Sequence, residues 1–130
     1  MDRYTDNLDL IWGKAIIVPG YDPDKFRKDS CGAWIVKDKY NDRDSDFGWE
    51  VDHIYPQTKL KEKGATDNEI DTLENLRPLN WHNNLSKGTD YPIYSANVTA
   101  EGNTNTVKED KYEINKDTQE TIKKIYSKYL

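Results

Sequence analysis

Residues 47–57 read FGWEVDHIYPQ, the most informative stretch of this chain. Large apolar side chains alternate with small or acidic ones as far as Asp52, which is typical of a half-buried β-strand. Pro56 cannot continue a central strand ladder, so we expect the strand to end before it. Adjacent side chains of a regular strand point to opposite faces. Asp52 and His53 can therefore serve one site only if the strand ends or twists there.

A second pattern begins about twenty residues later, in the stretch ENLRPLNWHNNLSKG at 74–88. The segment NLRPL is predicted to be a short extended piece. The segment NWHNNLSKG is predicted to be a short helix that Asn80 caps and Gly88 terminates. The stretch QTKLKEKGATDNEIDTLE at 57–74 is expected to be a long polar connection between these patterns.

Asp52 and His53 together suit metal-assisted hydrolysis. A carboxylate is a hard oxygen ligand for Mg²⁺, and imidazole accepts a proton near neutral pH. One carboxylate holds a metal ion poorly, so a second ligand is needed. If 80–87 is helical, Asn84 shares a face with Asn80 and Lys87. His82 lies about 200° away from Asn84 around such a helix. We therefore expect Asn84, not His82, to be the second ligand.

These residues resemble the HNH endonuclease family. Its pattern is Asp-His, a hydrophobic residue and often Pro, then Asn-Leu, then His or Asn three residues before Lys. The matching positions are Asp52, His53, Pro56, Asn75, Leu76, Asn84 and Lys87. The third family position is Asn here, a known variant, and the match covers about 40 of the 130 residues.

The resemblance implies an α+β fold with a ββα-metal core at about 47–88. We expect a single domain at 1–130, with a strand region before the core and a C-terminal extension at about 92–130. Asp52 and Asn84 would bind one Mg²⁺ or Mn²⁺ ion, and His53 would be the general base. Asn75 would hold the connecting loop through backbone hydrogen bonds and orient His53.

Nucleic acid, with DNA expected, is the implied substrate. We expect phosphate contacts from Lys87, Arg77 and Lys59, although Lys87 could instead steady the helix and Lys59 lies in a tract that could simply be solvated. A basic rim could come from Arg27, Lys28, Lys37, Lys39 and Arg43. The net charge of −5, from 19 basic and 24 acidic residues, predicts weak and salt-sensitive affinity.

The C-terminal extension is predicted to hold a hairpin around 102–105 and a final helix. Asp117 and Glu120 resemble a capping box for that helix. Its apolar stripe is expected at helical spacing. The stripe comprises Ile122, Ile125, Tyr126, Tyr129 and Leu130. If two copies meet to cut both strands, this extension is the surface available for a homodimer.

Cys31 is the only cysteine, so the zinc brace on two CxxC pairs that many HNH proteins carry is excluded. Packing around Trp34, Trp49 and Trp81 must replace it, although Trp81 could instead stack on a base. We expect Cys31 to be a small buried hydrophobe. No run reaches the roughly 20 apolar residues of a membrane span. With no basic-then-apolar leader, we expect a cytoplasmic protein, encoded by a bacterium or phage.

Two rivals to the endonuclease remain open. The acidic charge and the long extension suit a non-catalytic protein-interaction domain on an HNH fold. A nuclease toxin with an inhibitor partner would combine cleavage with tight protein binding. Cleavage assays and a search for a stoichiometric partner separate the three.

Overall fold

A computed structural model describes residues 3–130, which form a mixed α+β fold. Helix α1 (Leu8–Trp12) precedes an antiparallel sheet of β1 (Ile16–Ile17), β2 (Phe26–Lys28) and β3 (Trp34–Val36). Strands β4 (Trp49–His53) and β5 (Leu76–Asn80) form an antiparallel pair. Helices α2 (Gln57–Glu62) and α3 (Asp67–Ile70) lie between them in the chain, and α4 (Trp81–Lys87) follows β5. The hairpin β6 (Ile93–Glu101) and β7 (Thr104–Glu113) leads to α5 (Lys116–Ile125).

Strands β4 and β5 and helix α4 form where the sequence predicts a strand, an extended piece and a helix. The register places Asp52 opposite Arg77 and His53 opposite Leu76. The Asn80 side chain accepts a hydrogen bond from the His82 N–H, as expected for an N-cap. The helix ends at Gly88, whose φ of 55° is favourable for glycine.

The polar connection predicted at 57–74 is wrong as a description of this segment, because it contains both α2 and α3. Leu60 and Ile70 are fully buried and anchor the two helices in the core. Thr66 and Glu69 form a reciprocal capping box at the start of α3. Two buried apolar residues and one capping pair therefore anchor helices in a segment that is mostly polar.

The core has two clusters, and β4 connects them. Trp49 packs with Trp12, Ile35 and Leu76 in the N-terminal cluster. Ile54, one residue after β4, belongs to the C-terminal cluster. That cluster comprises Cys31, Ile54, Leu60, Ile70, Leu79, Tyr94, Ala96, Ile114, Ile122 and Tyr126. Asp52 and His53 thus lie where the two clusters meet.

The predicted hairpin at 102–105 is confirmed, but two details of the last helix are wrong. Helix α5 begins at Lys116, and Asn115 is its cap, since its side chain accepts the Thr118 N–H. Ile122 and Tyr126 are buried, whereas Ile125 is 37% exposed and Leu130 is 56% exposed. The buried stripe is therefore narrower than the spacing predicts.

Cys31 is buried as expected, and burial raises the pKa of its thiol to about 12. No helix within residues 3–130 has the length and apolar content that a membrane crossing requires.

A fully buried carboxylate, Asp29, anchors helix α4. Its two oxygens accept hydrogen bonds from four nitrogens. The donors are the backbone N–H groups of Cys31, Ala33 and Asn80 and the side-chain amide of Asn83. Asn83 also bonds Val98 in β6, so α4 is tied to the N-terminal sheet and to the C-terminal hairpin at once.

Candidate functional site

Three of the predicted site residues line one open cavity of about 320 Å³ beside the end of β4. They are Asp52, His53 and Asn84. The cavity is also bordered by Pro56, Gln57 and Arg43. Strand β4 ends at His53. Asp52 and His53 both still pair with β5, and their side chains bond different partners, so the shared cavity is the observation that joins them.

The Asp52 carboxylate is only 4% exposed and faces two cations. Its Oδ2 accepts a hydrogen bond from Arg77 Nε at 2.8 Å, and Lys87 Nζ lies 3.3 Å from Oδ1. Burial alone would lower the pKa of Arg77, but the charge of Asp52 raises it overall. Burial lowers the pKa of Lys87 despite the attraction of Asp52. Asp52 therefore lies within a buried cluster with Arg77 and Lys87.

The predicted phosphate contacts of Lys87 and Arg77 do not agree with this cluster. Lys87 is buried, and its Nζ also donates to the carbonyls of His53 at 3.1 Å and Ile54 at 3.3 Å. It therefore steadies α4 against the end of β4, which was the alternative role. Arg77 lines a different cavity, with Tyr94 and Ile114. Lys59 is exposed on α2, outside the candidate cavity.

Asn84 projects from α4 toward β4, but its direct partner is Glu50. Its amide nitrogen lies 3.0 Å from Glu50 Oε1. Glu50 also forms a two-point contact with Arg43, with its shortest distance at 2.7 Å. Burial would raise the pKa of Glu50, but Arg43 and Asn84 lower it overall. Glu50 was missed, although the two-residue period of a strand places it on the face of Asp52.

The His53 side chain is 9% exposed and is held by residues that the sequence does not single out. Its Nε2 lies 2.8 Å from Asp71 Oδ1 and 3.2 Å from the Tyr4 hydroxyl. Arg3 donates two hydrogen bonds to the same Asp71 carboxylate, at 2.7 and 2.8 Å. These partners lie 18 and 49 positions from His53, so no local pattern could reveal them.

Asn75 is fully buried and makes the loop contacts expected of it. Its Oδ1 accepts the Tyr55 N–H at 2.7 Å. Its amide nitrogen donates to the carbonyls of Tyr55 at 3.2 Å and Ile70 at 3.1 Å. One side chain thus joins the loop after β4 to the end of α3, the residue before Asp71.

The donor chemistry at the cavity fits a hard divalent ion. Mg²⁺ is usually bound by one or two carboxylates and keeps several waters. Asp52 offers spare carboxylate lone pairs, and Asn84 has an amide oxygen that does not take part in its bond to Glu50. Within residues 3–130, no group of three or more His, Cys, Asp or Glu side chains clusters closely enough to hold a metal ion. Arg77 and Lys87 would weaken the affinity through charge repulsion.

His82 and Trp81 lie outside this cavity. Their rings stack with centroids 3.6 Å apart, and Trp81 Nε1 donates to the Ser45 carbonyl at 2.8 Å. His82 Nε2 is 3.7 Å from the exposed carboxylate of Asp46. The two residues brace the turn before β4.

No family model, curated protein or solved structure matches this chain. The resemblance to HNH endonucleases therefore depends on the motif positions between Asp52 and Lys87.

Proposed function

We propose that this chain is a metal-dependent endonuclease that hydrolyses phosphodiester bonds, with DNA as the expected substrate. One observation carries the proposal: Asp52, His53 and Asn84 border one cavity. Strand β4 carries Asp52 and His53, helix α4 carries Asn84, and β5 pairs with β4 and leads into α4, in the order that the HNH resemblance implies. This arrangement supports a ββα-metal core at β4, β5 and α4.

His53 is the proposed general base. It would take a proton from the water that attacks phosphorus, a role typically worth about 10²–10⁴-fold in rate. Asn75 and Lys87 fix the backbone around His53 through the contacts they make at Tyr55, Ile54 and His53 itself. The end of β4 and the loop that follows it therefore hold His53 in place.

Asp52 and Asn84 are the proposed ligands of a Mg²⁺ or Mn²⁺ ion. Such an ion, when bound, offsets the charge that builds up on the phosphate. Arg43 takes the place of Lys87 and Arg77 as the proposed phosphate contact. Its side chain is 53% exposed and borders the same cavity.

A plasmid-nicking assay tests this function. Wild-type protein should convert supercoiled plasmid to open circles with Mg²⁺ and should stop when EDTA is added. His53→Ala should lower the rate by about 100-fold or more, since it removes the base. His82→Ala is the matched control and should cleave like the wild type, because His82 lies outside the cavity. Cleavage that survives EDTA, or equal rates for the two variants, would contradict the proposal.

A non-catalytic interaction domain is the second candidate, and two observations favour it. Both oxygens of Asp52 already face cations, and the His53 side chain is only 9% exposed. The hairpin also presents an open apolar residue, Val107, at 72% exposure. This candidate predicts no cleavage with any metal. A stoichiometric protein partner should then be recovered and should be lost in a Val107→Asp variant.

A further inference from the structure

Asp71 follows α3 directly and contacts the proposed base. We infer that Asp71 is a positioning residue that holds His53 as the Nε2–H tautomer, leaving Nδ1 as the atom that accepts a proton from water. This inference rests on the proposed function and deepens it, because it names the reacting nitrogen. Asp71 lies 18 positions from His53, and nothing in the HNH pattern points to it.

The direction of the hydrogen bond follows from the chemistry of the two groups. His53 Nε2 is 2.8 Å from Asp71 Oδ1. An ionised carboxylate only accepts hydrogen bonds, so Nε2 must carry the proton. A neutral imidazole has one N–H and one lone pair, and the bond at one nitrogen therefore selects the role of the other. With the proton at Nε2, the lone pair is at Nδ1.

Nδ1 is also the ring nitrogen of His53 that is available to accept a proton. Among the side chains and backbone of residues 3–130, no hydrogen bond reaches Nδ1. The Tyr4 hydroxyl approaches Nε2 at 3.2 Å, so it adds to the contact with Asp71 and does not compete for Nδ1. His53 borders the candidate cavity. Both hydrogen bonds of the ring are made at Nε2, so Nδ1 is the nitrogen of His53 whose lone pair is left for a water.

The Asp71 carboxylate is itself fixed in place. Arg3 binds both of its oxygens, at 2.7 and 2.8 Å. The Asp71 N–H closes the last turn of α3 by donating to the Asp67 carbonyl at 2.9 Å. The preceding carbonyl, of Ile70, accepts from Asn75 at 3.1 Å and from the Tyr126 hydroxyl at 3.2 Å. The end of α3 is therefore braced from the site and from the C-terminal segment, as a positioning role requires.

The tautomer can be measured without metal or substrate. Long-range ¹H–¹⁵N spectra of the full-length, metal-free chain distinguish the two neutral forms of imidazole. The chain has only two histidines, so a His82→Ala variant assigns the His53 signals. The wild type should show the Nε2–H form at His53, and Asp71→Ala should give a mixture of forms. An Nδ1–H form in the wild type, or an unchanged pattern in Asp71→Ala, would overturn the inference.

Kinetics supply the second readout. Asp71→Ala should lower kcat by about 10- to 100-fold, in the range of lost outer-shell partners of imidazole, with KM unchanged. Asp71→Asn keeps an oxygen acceptor and should lose less, which also covers the case in which Asp71→Ala folds poorly. Asp67→Ala removes an exposed acid from the same helix and should leave kcat unchanged, since the Asp67 side chain is 75% exposed and its ion pair is with Lys61, at 3.8 Å.

The two failures are distinguishable. If the wild type cleaves but Asp71→Ala matches Asp67→Ala in kcat, the positioning role is wrong and the nuclease stands. If the wild type does not cleave, the proposed function is wrong, and the spectra alone decide whether Asp71 sets the tautomer.

Discussion

Asp29 and Asp52 are both buried carboxylates that meet α4, yet their partners differ in kind. Asp29 accepts only neutral N–H groups, four of them, from the turn between β2 and β3, from β5 and from α4. Asp52 faces the charged groups of Arg77 and Lys87. Asp29 is fully enclosed, whereas Asp52 borders an open cavity.

The difference separates a carboxylate that organises the fold from one that lies in an ionic cluster beside the candidate site. Neutral donors satisfy Asp29 without bringing other charges into the core. At Asp52, two buried cations face one carboxylate beside the cavity, so the ionic groups of the fold are gathered at this point.

The largest expected effect is on stability, at Asp29. Asp29→Ala leaves four buried donors without an acceptor. We expect a loss of about 4–5 kcal/mol in the free energy of unfolding, because each unpaired buried group is costly. Urea unfolding followed by tryptophan fluorescence measures it. Asp46→Ala, at an exposed acid, should change stability little. A loss no larger than that of an ordinary surface substitution would show that Asp29 does not organise the fold.

Lys87→Met tests the charged side of the comparison. The variant keeps much of the buried volume but removes the bonds to Asp52 and to the carbonyls of His53 and Ile54. We expect a loss of about 3 kcal/mol, at the lower end for a broken buried ion pair because Arg77 remains. Lys59→Met, on the exposed surface of α2, is the matched control in the same urea assay. Equal stability of the two variants would mean that Lys87 is not a structural cation.

Asn75→Ala should have a smaller effect that is confined to the loop beside the cavity. It removes three hydrogen bonds, two to Tyr55 and one to Ile70. We expect a loss of about 2 kcal/mol, with faster hydrogen exchange at the Tyr55 amide. Exchange at the Val98 amide, which Asn83 holds, serves as the internal reference. Uniform acceleration at both amides would indicate global unfolding instead.

The smallest expected effect is a dependence of stability on pH. It arises at Glu69, away from Asp29 and Asp52. Hydrogen bonds from Thr66 and Tyr129 lower the pKa of Glu69 from its ordinary 4.5 to about 2. A lowered pKa stabilises the fold above the unfolded value, so this contribution is lost as pH falls from 4.5 toward about 2. Thermal unfolding midpoints across this range measure it. Glu69→Gln should flatten the decline, and an unchanged profile would show that Glu69 does not contribute.

Local patterns in the sequence predict the elements that bear the site. Alternation up to Asp52 predicts β4, and the position of Asn80 predicts the cap of α4. The capping pair Thr66 and Glu69 was equally local and was overlooked, so α3 was missed. The patterns for β4, for the cap of α4 and for α3 all involve residues within a few positions of one another.

The partners of the site could not be predicted in this way. Asp71, Tyr4 and Asn83 make their contacts across many positions of the chain. The charge composition likewise does not reveal that Lys87 is buried against Asp52 and is therefore unavailable to phosphate. Folding brings these groups together, and only the three-dimensional structure reveals them.

A crystal of the full chain soaked in Mn²⁺ shows whether Asp52 and Asn84 bind one metal ion. We expect an anomalous peak bound to oxygens of both residues, beside His53 in the same cavity. An Asp52→Asn crystal soaked in the same way should lose that peak. A Mn²⁺ ion bound elsewhere, or a peak that persists in Asp52→Asn, would contradict the account.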